Sequence, residues 1–487
     1  MLFNSYIFIL AFLPLCLAGY FGLNAIKQYK LAQLFLLAMS LWFYGYFNPW
    51  YLLIILVSIT ANYLINVLMD KTPWPHVRRG EVWIAVGLNL AVLFYYKYYD
   101  FFITNLNQIA HTDFTLHHVI LPLGISFFTF QQISYVVDAY HGQVPRCGFW
   151  EYASFVAYFP QLIAGPIVTH DELIPQFQDL KKKQWNWDNL AQGIFMFSLG
   201  LGKKVLIADT FGVAANWGFQ DVYALDSTNA ILVTLAYTIQ IYFDFSGYCD
   251  MAIGIGKMMN LDLPVNFDSP YKALTITEFW QRWHKTLTRF FTKYVYIPLG
   301  GNRKGQIRTY INAMIVFLVS GLWHGASWAF VLWGGLHGAF YCVTRWKKDW
   351  FRSLHPALSW LMTFCFLNIT WIFFRTENIY YAWVVIKQIL TMQLGPVAPQ
   401  ILEAFQLPEL QRPISSVPFL GILGTYPGLL IWICYGGGLA LILSGKNAYQ
   451  RMCDFRPTLG NMLLSAGLLL WCILSFSGIS TFLYFNF

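Results

Sequence analysis

An all-α, polytopic membrane protein is the fold class this sequence predicts, and three observations predict it. Hydrophobic residues make up 57% of the 487-residue chain and charged residues only 11%, whereas soluble domains carry about 25% charged residues. The apolar residues fall in runs, and a helix needs roughly 20 of them in succession to cross a bilayer. Lys and Arg concentrate in some connections between the runs and are missing from others. With a mean hydropathy of +0.50, the chain has too little polar surface to stay dissolved by itself.

The first run, Leu2–Leu23, has no basic leading segment and no A-x-A-like cleavage site, so it reads as a retained span and not a signal peptide. Leu31–Phe47, Tyr51–Leu68, Val82–Tyr98 and Val119–Tyr140 follow with short connections, which makes residues 1–140 a set of simple spans. From 149 to 346 the texture changes: Gly, Pro, Trp and single charges break up the apolar runs. Leu190–Ile207 is interrupted at Gly200 and Gly202, just before Lys203 and Lys204, and Ala230–Phe245 ends in a polar stretch. Ile311–Tyr341 is long enough for two helices, split at Trp323–Trp328. Irregular backbone at membrane depth is tolerated only where protein or a water-filled cavity surrounds it. The interruptions therefore predict a cavity within this core segment, 149–346.

Residues 347–487 add the runs Ala357–Phe374, Phe419–Leu443 and Met462–Phe485. Between the first two lies an excursion from Glu377 to Pro418, expected on the extracytoplasmic side, in which Tyr380–Leu394 is expected as an interfacial helix. The whole is expected as a single membrane domain over 1–487, with about 10–13 transmembrane or re-entrant helices. No internal repeat is visible, which weighs against transporters built from inverted repeats.

The net charge of +8 is unevenly placed, in Lys71–Arg79, Lys181–Lys183, Lys272–Arg308, Arg345–Arg352 and Lys446–Arg456. The positive-inside rule puts these segments in the cytoplasm and the N-terminus outside. Lys203 and Lys204 fit that rule less well. The basic balance reads as topology and contact with anionic membrane lipids, not as nucleic-acid binding. The eight cysteines are scattered without a C-x-x-C pair, so neither a zinc site nor a disulfide framework is expected. No H-E-x-x-H or G-x-S-x-G motif occurs, and no metal is called for.

The chemistry is expected at His324, in Gly321-Leu322-Trp323-His324-Gly325-Ala326. The run from Ile311 to Phe340 holds no Asp, Glu, Lys or Arg, and an ionisable group at membrane depth marks a functional site by default. Imidazole, with an unperturbed pKa of about 6.5, suits a general base or relay that takes a proton from an acceptor hydroxyl; the alternative is a histidine that bonds a backbone carbonyl between helices. His337, among Gly334, Gly335 and Gly338, reads instead as a packing residue. His284 follows Phe279-Trp280-Gln281-Arg282-Trp283 and precedes Lys285, in a basic, aromatic, roughly helix-periodic stretch. This stretch reads equally as an interfacial helix and as the entrance for an anionic acyl donor, held by Arg282 and Lys285 through charge-assisted bonds. Asp244 and Asp250 lie about 120° apart on an ideal helix and form no acid pair. They are left to orient a histidine, to pair with a cation or to cap a break after Gly247. With Trp280 and Trp323 they complete the candidate donor and tunnel-binding set.

Taken in order, several segments resemble the membrane-bound O-acyltransferase superfamily, and within it the integral-membrane subunits of bacterial alginate-type O-acetyltransferases. They are Met1–Ser5, Phe159–Ile167, Asp244–Tyr248, Asn266-Phe267, Phe279–His284, Tyr296–Arg303 and Trp323-His324-Gly325. The resemblance implies tilted helices ringed around a central tunnel, with His324 as the essential catalytic residue and His284 as a second functional position. It implies acetyl-CoA as the cytoplasmic donor substrate, with no bound cofactor. The acyl group would cross the bacterial inner membrane to an SGNH-type acetyltransferase partner or carrier, and finally to an exported polysaccharide such as alginate. Where many members carry an acidic residue before the Tyr-x-Tyr-Ile-Pro segment, this chain has Lys293. Two other expectations stand beside this one: D-alanyl transfer toward teichoic acid, and a transporter or channel that catalyses nothing.

Overall fold

The computed structural model describes residues 1–144, 147–376, 378–406, 427–476 and 482–483. Every regular element among them is helical. Among the described residues, five helices are by themselves long and apolar enough to cross a membrane: Phe8–Ala25, Trp50–Lys71, Trp187–Gln220, Ser227–Met258 and Pro356–Arg375. Ile379–Leu390, Gly428–Leu443 and Leu459–Leu474 are shorter apolar helices. The first of these overlaps the expected interfacial segment Tyr380–Leu394, starting one residue earlier and ending at Leu390. Of the terminal runs, 419–426, 477–481 and 484–485 lie outside the described residues, as do Glu377 and 407–418 of the expected excursion.

Several boundaries differ from the sequence expectation. The run Val119–Tyr140 becomes helical only at Ile125, after Pro122 and a left-handed Gly124 at φ +73°. Val82–Tyr98 is part of a longer rod, Pro75–Leu93, that passes through a π-helical turn, Phe94–Tyr98, into Tyr99–Ala110. Gly200 and Gly202 do not interrupt their helix. Trp187–Gly202 continues through another π-helical turn, Lys203–Ala208, into Asp209–Gln220.

Gly200 is there for packing, as is Gly193 earlier on the same face of the helix. A Cβ on Gly200 would stand 2.7 Å from the Gly247 carbonyl oxygen, and one on Gly193 would stand 2.6 Å from that of Gly254. The helix of Gly193 and Gly200 thus lies backbone to backbone on Ser227–Met258, the close approach that small residues allow between membrane helices. Ser227–Met258 starts where Asp226 accepts from the Asn229 N–H at 2.8 Å, a side-chain cap for an otherwise orphaned donor. It then runs unbroken through Gly247, so Asp244 and Asp250 cap no break there.

Candidate active site

The expected split of the last core run is present. One helix spans Gln306–His324, the next Trp328–Trp346, and His324 is the final residue of the first. The two helices are pressed together at Gly321 and Gly334: a Cβ on either would collide with a carbonyl oxygen across the contact, of Phe330 and Phe317 respectively. Ser327 opens the second helix by accepting from the Phe330 N–H. The turn therefore folds back tightly and leaves His324 3% exposed. Aromatic rings wall it, among them Trp323 at 4.9 Å, Phe374 at 5.1 Å and Trp333 at 5.2 Å between centroids. The buried indole N–H groups of Trp323 and Trp333 meet no acceptor among the described residues.

His284 is fully buried and belongs to no continuous helix, contrary to the periodicity of its segment. Ile276–Arg282 stops, Trp283 is extended, and Lys285–Phe291 begins after His284 takes a left-handed φ of +46°. Strained backbone of this kind persists only where the surroundings hold it, and it clusters at functional sites. Asn266 is what holds it. Its Oδ1 lies 3.1 Å from His284 Nδ1, 3.0 Å from Thr286 Oγ1 and 3.3 Å from the Thr286 backbone nitrogen. A backbone N–H can only donate, so that amide end is the oxygen and His284 Nδ1 must carry its proton. Neutral His284 therefore presents Nε2 as its basic nitrogen. The ring stands edge-on to Phe245 at 4.9 Å and lies 6.1 Å from the Trp323 ring. Both histidines thus contact one indole, that of Trp323.

His337 has both nitrogens engaged, receiving the Trp280 indole N–H at Nδ1 (3.2 Å) and placing Nε2 3.1 Å from Thr370 Oγ1. It is the packing residue the sequence suggests. Trp280 spends its donor there, while the same residue lines an open cleft of about 350 Å³ with Lys285, Thr288, Arg289, Thr292 and Lys293. Arg289 is paired with Glu172 and Lys293 with Asp138 at 2.9 Å. Asp138 also receives the Tyr294 hydroxyl at 2.7 Å and lies 3.2 Å from His170 Nε2. Lys285 is the cleft cation whose ammonium has no side-chain partner among the described residues. Arg282 pairs with Glu278 at 2.7 Å and does not line this cleft.

Asp244 and Asp250 are matched by the two lysines that fit the topology rule poorly. Lys204 lies 2.8 Å from Asp244 and 2.7 Å from Asp209, and Lys203 lies 2.5 Å from Asp250. All four groups of the two inner pairs are buried or nearly so, as neutralised pairs at membrane depth must be. Lys203 and Lys204 are paired charges inside the fold and carry no topology signal.

One residue at the site goes unnoticed in the sequence argument. Lys97, on the π-helical turn Phe94–Tyr98, reaches the backbone carbonyls of Trp323 at 2.6 Å and His324 at 3.2 Å. Its signal is nonetheless present, because it is the one Lys, Arg, Asp or Glu in the run Val82–Tyr98.

The chain is, then, an all-α membrane protein with one buried histidine at a break between two helices and a second, held in a single tautomer, against the same indole. The chain belongs to the membrane-bound O-acyltransferase family, with residues 142–383 matching that family directly. It is 41% identical, over 100% of its own length and 98% of the relative's, to the peptidoglycan O-acetyltransferase of Helicobacter pylori. It is 37% identical to the probable alginate O-acetylase AlgI of Pseudomonas aeruginosa over 88% of this chain and 82% of that one. A teichoic acid D-alanyltransferase of Lacticaseibacillus rhamnosus is 24% identical over 66% of this chain and 88% of its own. The protein is an acyltransferase.

Proposed function

We propose that this enzyme takes acetyl groups from cytoplasmic acetyl-CoA and delivers them across the inner membrane for O-acetylation of a cell-envelope polysaccharide. The observation that carries the proposal is the placement of His324 at the end of a helix, inside an aromatic wall, in a run without Asp, Glu, Lys or Arg. The imidazole takes the proton of an acceptor hydroxyl as its oxygen attacks the acetyl carbonyl. The tetrahedral intermediate then collapses, the carbon–sulfur bond breaks, and the leaving thiolate recovers the proton from the imidazolium. The indole N–H groups of Trp323 and Trp333 offer donors for the developing oxyanion, the kind of fixed donor that matters most in a water-excluded site. His284, with Nε2 basic, is a second group able to accept a proton next to the shared indole.

The cleft beside Trp280 supports entry of an anionic donor, with Lys285 as the cation left to meet phosphate oxygens. A site closed to bulk water protects the acetyl group from hydrolysis on the way. Peptidoglycan is favoured over alginate as the final acceptor, because the relative matched along the whole chain is named for it. Hand-over runs through an extracytoplasmic SGNH-type partner or a carrier.

Purified protein in liposomes, given labelled acetyl-CoA outside and peptidoglycan fragments or alginate oligomers with the candidate partner inside, tests this directly. Label on the lumenal glycan is the expected result. Solute flux without label transfer would make the protein a transporter, and transfer of D-alanine from a charged carrier in place of acetyl would move it to the sibling reaction.

A further inference from the structure

The helix that ends at His324 stops at a buried turn. The last four carbonyls of a helix have no partner within it, and at membrane depth each must find one in the protein. Here all four do. The Gly321 carbonyl takes the Gly325 N–H at 3.3 Å. The Leu322 carbonyl takes the Tyr98 hydroxyl at 3.0 Å, and those of Trp323 and His324 take Lys97 Nζ at 2.6 and 3.2 Å. The third N–H of Lys97 goes to Ser126 Oγ at 3.4 Å, and the ammonium also lies 5.7 Å from the centre of the Trp323 ring. A lysine has three N–H donors, so none is left for a substrate. The cation at a helix C-terminus is in addition the sign that the helix dipole favours.

We infer that Lys97 and Tyr98 are positioning residues for the acyl-transfer centre: together they clamp the helix end that carries His324 and so set where its imidazole stands. The pair comes from the N-terminal spans, more than 220 residues away in sequence. A π-helical turn is the local means of aiming two consecutive side chains at one helix end, and such turns are frequent at functional sites. The inference rests on the acyl-transfer reading for its kinetic consequence and on geometry alone for the clamp.

Three variants of the full-length protein test it: Lys97→Met, which keeps the aliphatic stem, Tyr98→Phe, which deletes one oxygen, and Lys97→Arg, which restores donors. Amide hydrogen exchange over residues 321–327 reads the clamp without reference to activity. It should quicken in Lys97→Met and return toward wild type in Lys97→Arg. Acetyl turnover reads the consequence: kcat should fall at least about tenfold in Lys97→Met with KM for acetyl-CoA little changed, because misplacing a catalytic group by about 1 Å can cost about 100-fold. Should Lys97→Met fail to fold, Tyr98→Phe carries both measurements, with the same directions. Unchanged exchange overturns the clamp. Quickened exchange with wild-type kcat, or a rise confined to KM, overturns the positioning role. If the wild type itself transfers no acetyl group, the function falls while the exchange arm still decides the clamp.

Discussion

His284 Nδ1 lies 3.1 Å from Asn266 Oδ1, an oxygen that also receives both donors of Thr286. One buried amide therefore fixes the tautomer of a histidine at a strained backbone position. Asn266→Leu should strand these donors at about 1–3 kcal/mol for each one left unsatisfied and reduce acetyl turnover. Asn266→Asp, which keeps an acceptor oxygen, should lose less of both. Thermal unfolding in detergent and turnover of the same preparations check this, and an Asn266→Leu enzyme normal in both would contradict it.

Lys285 is expected to act on donor binding alone. Its ammonium stands in the cleft while Arg289 and Lys293 are held by Glu172 and Asp138. Lys285→Ala should weaken acetyl-CoA binding by about 1.5–3 kcal/mol, the worth of a hydrogen bond to a charged group, and leave kcat near wild type. Equilibrium binding of a non-hydrolysable acetyl-CoA analogue gives the number. Arg282→Ala, by contrast, should shift affinity little, since Glu278 already takes that guanidinium.

The Lys203–Asp250 pair, at 2.5 Å, is expected to be structural. Removing one partner of a buried pair leaves an uncompensated charge and costs about 3–5 kcal/mol, whereas replacing both by apolar groups is often neutral. Lys203→Met should therefore abolish or sharply reduce folded protein, and Lys203→Met with Asp250→Leu should recover much of it. Folded yield by size-exclusion profile separates the two. A double variant no better than the single would contradict the pairing.

Topology is the fourth expectation. Lys304 and Glu403 are both exposed, and the basic density of Lys272–Arg308 puts the first in the cytoplasm. Cysteines placed at the two positions, labelled from outside intact cells by an impermeant reagent, should react at 403 and not at 304. The opposite pattern would invert the orientation.

The sequence carries the fold class and the break at Trp323–Trp328, because apolar run length and the Gly-Ser texture of a turn are both local signals. The packing role of His337 was legible for the same reason. The π-helical turns were not: nothing in Phe94–Tyr98 or Lys203–Ala208 distinguishes a wide turn from an ordinary one, and the extra residue shows only in three dimensions. Asp244 and Lys204, 40 residues apart, were each visible, but their pairing depends on how two helices pack across Gly200 and Gly247. The break at His284 stayed hidden because its segment keeps a helical period on both sides of a single left-handed residue. Lys97 was within reach of the rule that singled out His324, as a lone charge in an apolar run.

The most direct measurement is acetyl turnover by His324→Gln and His324→Ala beside their melting temperatures. If His324 shuttles the proton, glutamine keeps a polar shape without that ability. Both variants should then stay folded in the membrane while turnover falls by at least the roughly 10²–10⁴-fold that general acid–base catalysis supplies. A His324→Gln enzyme that melts normally and turns over acetyl-CoA near the wild-type rate would contradict the account.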